Sequence, residues 1–186
     1  MRRMLRSSVM RRMLQLTGFL AGFALTASAA QAGMGSKVTS LYDASFVTVL
    51  ARAGIPTVIL GNVAPGVAPE AIRAMLSPPG WIRAATFVAG QPSPKGMRLV
   101  ILFNPSDPVA AKRDVCGDLS ALSFGPPGGR LVVRAAFCVD SDLATRVTAA
   151  ERSITGIDDP RLTKLLGRVI DMLFPAANRF TGGSPV

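Results

Sequence analysis

Histidine is absent from the 186-residue chain, and this absence limits the chemistry that the sequence can support. Imidazole is the commonest general base near neutral pH, the central member of Ser-His-Asp triads and a frequent zinc ligand. The sequence therefore excludes histidine-dependent hydrolases, Cys-His dyads and most zinc sites. Any catalysis would have to use carboxylates, or a serine together with a lysine.

Two pairs of carboxylates have a spacing that could serve as the acid and base of a glycosidase, Asp140 with Asp142 and Asp158 with Asp159. Each pair also has a structural interpretation. The first pair lies in a sequence typical of a hairpin turn, and the second precedes a helical pattern that an aspartate would cap. We therefore assign no catalytic residue. A hydrolase built on carboxylates or on a Ser-Lys pair is the alternative function.

No metal or cofactor site is predicted. Asp107, Asp114 and Asp118 lie in one stretch, but their spacing does not make them converge on an ion. The run Gly125-Pro126-Pro127-Gly128-Gly129 contains two prolines, which have no amide to donate to a phosphate, and no P-loop sequence occurs. The sequence thus indicates neither a cofactor nor a phosphate-binding loop.

The N-terminus has the organisation of an export signal. Five arginines and no acidic residue occupy the first twelve positions, and an apolar stretch from Met13 to Thr26 follows that is too short for a membrane span. Ala30-Gln31-Ala32 then has the form of a signal peptidase site. We predict cleavage between Ala32 and Gly33, giving a periplasmic or secreted bacterial protein of about 150 residues without a permanent membrane span. Cleavage after Ala29 and an uncleaved signal anchor are the alternatives.

Cys116 and Cys138 are the two cysteines of the chain. In an exported protein an even number of cysteines favours a disulfide over free thiols. A redox-active pair is disfavoured, because such pairs have the much closer Cys-x-x-Cys spacing. We predict a structural disulfide, which would stabilise the fold by about 3 kcal/mol through the loop that it closes.

Much of the basic character of the chain belongs to the predicted signal. Its five arginines account for half of the formal net charge of +10, which leaves +5 for the remainder. These charges are scattered along the sequence, whereas nucleic-acid binding requires clustered charge with aromatic platforms. We therefore predict no nucleic-acid partner. A surface without a partner, another envelope protein, and weak attraction to an anionic envelope component all remain open.

Hydrophobic periodicity indicates one α+β domain over 33–177, followed by a loose tail over 178–186. Helices are predicted over 43–53, where Phe46, Val49, Leu50 and Ala53 would form the inward stripe, over 69–76, and from Pro160 to Pro175. A strand from Phe46 to Leu50 is the alternative to the first helix. Strands are predicted over 55–60, 84–89, 97–104, 131–139 and 143–151. The last helix is the clearest, because Asp159 can cap it and leucines recur at helical spacing.

The strands are expected to pair mostly with their sequence neighbours. Residues 84–89 and 97–104 are predicted to form a hairpin, and 131–139 and 143–151 a second one. The resulting fold is a mainly antiparallel sheet of four or five strands with helices packed on one face. Phe137 and Val139 would face the core, so that Cys138 points to the opposite face, where the loop with Cys116 must fold over it.

Short motifs close two strands and the last helix, namely Gly61-Asn62, Phe103-Asn104-Pro105 and Leu173-Phe174-Pro175. With these motifs the chain resembles uncharacterised exported proteins of Gram-negative bacteria over most of the region after the signal. The resemblance implies an envelope location and brings no activity with it. The expected function is that of a non-catalytic interaction or ligand-binding domain.

Overall fold

The computed structural model describes residues 33–106, 115–152 and 154–177. The strands are β1 (Met34–Val38), β2 (Ile55–Gly61), β3 (Phe87–Ala89), β4 (Met97–Phe103), β5 (Arg130–Val139) and β6 (Asp142–Arg152). The helices of the described residues are α1 (Ala44–Ala53), α2 (Pro69–Met75) and α3 (Pro160–Leu173). The predicted signal over 1–32 and the predicted tail over 178–186 lie outside these ranges.

The six strands form one mixed sheet in the order β1-β6-β5-β4-β2-β3. Neighbours from β1 to β4 in this order are antiparallel, whereas β2 is parallel to both β4 and β3. The α+β class agrees with the prediction, but the mainly antiparallel sheet of four or five strands is wrong. One half of the sheet is an antiparallel meander, and the other half is parallel.

The predicted hairpin of 84–89 with 97–104 does not form, because β2 lies between β3 and β4. The connection between them passes against the β2 backbone at Gly90, whose amide donates to the carbonyl of Thr57 (3.0 Å). A Cβ atom at Gly90 would lie 2.8 Å from the Thr57 nitrogen. Glycine thus permits the connection to approach the β2 backbone closely here, whereas its sequence context suggests a tight turn.

The edge strand β1 has no counterpart in the sequence-based prediction. Its residues include glycine, serine and lysine, which do not favour strands, and Val38 is its one β-branched residue. It is a strand because it pairs along its whole length with β6, from Met34 opposite Ala149 to Val38 opposite Thr145. Tertiary pairing overrides a weak local propensity.

The helices pack on one face of the sheet, which we call the helix face. α3 begins as predicted, with Asp159 as its N-cap, and it buries the predicted stripe of Leu162, Leu165, Leu166, Val169, Ile170 and Leu173. α1 also begins as predicted, since Asp43 accepts a hydrogen bond from the Ser45 amide (2.8 Å). Its buried side differs from the prediction, because Val47 is fully buried while Val49 is 61% exposed.

Over β2, β4 and β5, the face opposite the helices is covered by residues 115–124, which form a smaller core with Val100, Leu102 and Ala136. Cys116 and Cys138 belong to this core. Their Cα atoms lie 5.5 Å apart and their sulfur atoms lie at disulfide distance, 2.00 Å. The predicted geometry is therefore present, with Cys138 pointing away from the helix face and the Cys116 segment folded over it.

Arg98 of β4 lies directly opposite Cys138 and is only 2% exposed. Its guanidinium donates to the backbone carbonyls of Cys116 and Asp140. Burial lowers the pKa of Arg98, and the nearby charge of Asp140 acts in the opposite direction. The buried cation thus serves as a donor to two backbone carbonyls, one of them in the disulfide-linked segment.

The motifs at the strand ends are architectural. Asn104 follows β4 with a φ of 50°, and its side chain accepts from the Val132 amide (2.9 Å) and donates to the Asn62 carbonyl (3.1 Å). It thereby ties together the ends of β4, β5 and β2. A Cβ atom at Gly61, whose φ is 83°, would lie 2.1 Å from the Phe103 carbonyl oxygen, so glycine is required at this close approach.

Candidate functional site

The outer part of the sheet, on the side opposite the helices, presents five basic side chains from three strands. Side chains alternate along a strand, and residues directly opposite each other share a face, so the register brings these five together. They are Lys37 of β1, Arg146 and Arg152 of β6, and Arg130 and Arg134 of β5. We call this surface the basic face.

On the basic face, two pairs of neighbouring strands place like charges directly opposite each other. Lys37 lies opposite Arg146, and Arg130 lies opposite Arg152. Such pairs destabilise a sheet. The positions of 130–136 and 146–152 that share this face contain no acidic residue, because Glu151 lies opposite the core residue Leu131 on the helix face. The strands themselves therefore do not neutralise the charge that they present.

Lys37, Arg130 and Arg152 are exposed, and within the described residues none of them is in an ion pair. Arg134 and Arg146 are half-buried and have contacts of their own. A shallow depression of about 230 Å³ lies at the β1-β6 edge and is lined by Gly35, Ser36, Lys37, Arg146 and Thr148. This geometry suits the binding of anionic groups by several separate cations, and it offers no acid-base pair for catalysis.

This grouping was not predicted, because the five cations are scattered along the sequence. Lys37 lies far in sequence from Arg130, and β1 was not predicted to be a strand. The available signal was the alternation of Arg130 and Arg134 with core residues in the clearest predicted strand, together with Arg146 and Arg152 in and just beyond its predicted partner. Aligning those two strands would have placed four of the five cations on one face.

The carboxylates Asp158 and Asp159 do not form an acid-base pair. Asp159 is buried, and it accepts hydrogen bonds from the amide (3.0 Å) and the guanidinium (2.7 Å) of Arg161 and from the Thr155 amide (3.1 Å). Hydrogen bonding to Arg161 holds the pKa of Asp159 well below its ordinary value. The group caps α3 as an ionised carboxylate. An open cleft of about 560 Å³ adjoins it, with exposed Asp158 on its lining.

Asp140 and Asp142 serve the turn between β5 and β6, as their sequence context indicates. Asp140 has a φ of 54°, and its Oδ1 accepts from the Gly96 amide (2.8 Å). Asp142 is exposed and begins β6. The Asp140 carboxylate therefore joins two loops at one end of the sheet.

Of the acidic stretch Asp107, Asp114 and Asp118, for which no metal site was predicted, only Asp118 lies within the described residues. Asp118 accepts from the Ser120 amide (2.9 Å), and this hydrogen bonding lowers the pKa of its carboxyl. Asp107 and Asp114 lie outside the described residues. In 33–106, 115–152 and 154–177, no group of three or more Cys, Asp or Glu side chains could hold a metal ion. The glycine-rich run leads into β5, with the Gly125 amide donating to the Asn104 carbonyl (2.7 Å).

Comparison with known proteins identifies no relative: no family model, curated protein or solved structure matches the chain. In the part of the chain that the structure describes, no helix combines the length and the apolar character needed to cross a membrane.

Proposed function

We propose that this chain is an exported, non-catalytic envelope protein whose basic face binds the anionic headgroups of envelope lipids. The observation that supports this most directly is the strand register, which places Lys37 opposite Arg146 and Arg130 opposite Arg152 on a face whose strand positions include no acidic residue. Such an arrangement costs stability, and a negatively charged surface offsets that cost. Each cation near an anionic membrane contributes about 1 kcal/mol of binding free energy.

The shape of the basic face also favours a surface over a small ligand. Its cations are spread over three adjacent strands, about 5 Å apart from strand to strand, which matches repeated headgroups better than a single anion. The described positions on this face of β1, β5 and β6 include no aromatic side chain, so a nucleic acid would find no stacking platform there. The disulfide between Cys116 and Cys138 is typical of proteins in an oxidising compartment.

The other candidates have less support. Asp159 and Asp140 are engaged in capping and turning, so no observation on the described residues favours a hydrolase. Another envelope protein as partner would ordinarily need an apolar centre in its interface. On the basic face the apolar pair Val132 and Ala150 is half-buried to buried, and the exposed side chains Lys37, Arg130 and Arg152 are charged. Anionic lipid is therefore the partner class that the charge pattern favours.

Sedimentation with lipid vesicles tests the proposal. The purified protein should bind vesicles that contain phosphatidylglycerol and should not bind vesicles of phosphatidylcholine alone, and salt should weaken the binding. A triple variant, Lys37→Gln with Arg130→Gln and Arg152→Gln, should bind about tenfold more weakly or worse.

The matched control removes three exposed cations elsewhere, in Lys95→Gln with Lys164→Gln and Arg168→Gln. Both triple variants have the same net charge, so only the location of the charge differs. The control should retain most of the binding. Equal loss of binding in both variants would show that net charge alone drives association, and the proposed face would then be wrong.

A further inference from the structure

A groove of about 490 Å³ lies in the helix layer, between the last turns of α1 and the segment 81–84 that follows α2. Its volume falls in the range of small-molecule sites. It is on the far side of the sheet from the basic face, because α1 packs on the helix face. The groove lining combines an aromatic ring, apolar side chains, Thr48 and two arginines. The apolar and the charged residues suit different parts of one ligand.

The aromatic component is Trp81, the single tryptophan of the chain. Its indole N–H donates to the carbonyl of Phe174 (2.7 Å), directly after α3, and this bond fixes the ring between two helices. Because the polar edge of the indole is already satisfied, the ring offers the groove apolar surface. The methyl groups of Ala51 and Ala84 and the side chain of Ile82 extend that apolar lining.

The charged component is a pair of arginines, Arg52 from α1 and Arg83 from the segment after α2. Both are exposed, and the ion pairs of the described residues, Glu70 with Arg73 and Asp159 with Arg161, involve neither of them. The groove lining contains no acidic side chain. Two guanidinium groups without a counter-charge therefore flank an apolar floor.

We propose that this groove binds a single small amphiphilic anion, an alkyl carboxylate, with its chain against Trp81 and Ile82 and its headgroup held by Arg52 and Arg83. Guanidinium and carboxylate form charge-assisted hydrogen bonds, which are stronger than those between neutral groups. The apolar lining supplies the remaining affinity through burial of the alkyl chain. This site uses different residues from the basic face and does not depend on the lipid-binding function.

The single tryptophan makes the test direct, because its emission reports on the groove alone. Titration of the purified protein with decanoate, kept below micelle-forming concentrations, should give a saturable change in Trp81 fluorescence. Decyltrimethylammonium has the same chain with the opposite charge and should give none. The variant Arg52→Gln with Arg83→Gln should raise the apparent Kd for decanoate about tenfold or more.

A second substitution keeps both arginines and changes the charge of the groove. Ala84→Glu places a carboxylate at an exposed position of the lining and should abolish the fluorescence change, whereas Ala84→Gln, of similar size, should retain it. Lys164→Gln with Arg168→Gln should leave the Kd unchanged. The proposal fails if decyltrimethylammonium produces the same saturable change, if no titration saturates, or if the arginine variant binds decanoate as tightly as the unmodified protein.

Discussion

The two faces of the sheet are built from alternating residues of the same strands, yet they differ in what covers them and in how many charged side chains they present. On the helix face, Val133, Ala135 and Phe137 of β5 are fully buried, and Phe137 contacts Phe174 edge to face with ring centroids 5.3 Å apart. On the opposite face, Arg130 is exposed and Val132 and Arg134 are half-buried. One face is closed by apolar packing, and the other is closed by a disulfide-linked segment at one end and remains charged at the other.

From this contrast we expect stability and the proposed lipid binding to depend on different, neighbouring residues of the same strands. The helix face has no charged side chain at the central positions of β5, whereas the basic face tolerates like-charged pairs that weaken a sheet. Substitutions at neighbouring positions of β5 should therefore affect different properties of the protein. Those on the helix face should lower the free energy of unfolding, and substitutions of the cations on the basic face should weaken the proposed binding.

The largest expected effect follows from truncating the aromatic core. Phe137→Ala removes a fully buried ring that packs edge to face against Tyr42 and Phe174. The substitution should lower the free energy of unfolding by about 3–5 kcal/mol, measured by urea denaturation followed by circular dichroism.

The matched control compares the two faces at neighbouring positions. Val133→Ala and Val132→Ala remove the same atoms, the first from the helix face and the second from the opposite face. The first should cost about 2 kcal/mol and the second less than about 1 kcal/mol. Equal costs would contradict the division between an apolar face and a weakly packed one.

Removing the disulfide should have the next largest effect. The variant Cys116→Ser with Cys138→Ser opens a loop with a sequence separation of 22 residues and should lower the free energy of unfolding by about 3 kcal/mol. Hydrogen exchange should increase mainly in 115–124, which the bond holds against the sheet. Binding to anionic vesicles should persist, because Lys37, Arg130 and Arg152 lie on strands. Loss of binding with unchanged stability would make the cysteines functional.

The smallest expected effect concerns the cap of α3. The pKa of Asp159 is lowered in the folded protein relative to an unfolded aspartate, so its stabilisation is present above about pH 4 and is lost as the pH falls further. Asp159→Asn should lower the Tm by on the order of 5 °C at pH 7. Below about pH 4 the difference between the two proteins should shrink, and a difference that stays constant with pH would refute the ionised cap.

Part of the fold could be predicted from short stretches of sequence. α3 follows from a capping aspartate, a proline in the first turn and a stripe of leucines, all within one contiguous segment. The alternation in β5 likewise predicts which residues face the core, and it correctly directs Cys138 to the opposite side. These predictions succeed because the 3.6-residue and two-residue periods are properties of the local backbone geometry.

The candidate site could not be predicted in the same way. The basic face requires β1, whose strand propensity is weak, to pair with β6, and it requires a register that places Lys37 opposite Arg146. The parallel half of the sheet requires the connection at Gly90 to pass against β2, which separates β3 from β4. The groove at Trp81 depends on α1 and the segment after α2 packing side by side.

Local elements of this protein follow from contiguous stretches of sequence, namely the capped helix α3 and the alternating strand β5 with Cys138 on its outer side. The strand order, the edge strand and the two candidate binding surfaces arise only when distant segments pack together. The physical reason is that local periodicity depends on neighbouring residues. Strand pairing depends instead on which distant segments together bury the most apolar surface. The positions of the exposed cations on the sheet follow from that pairing.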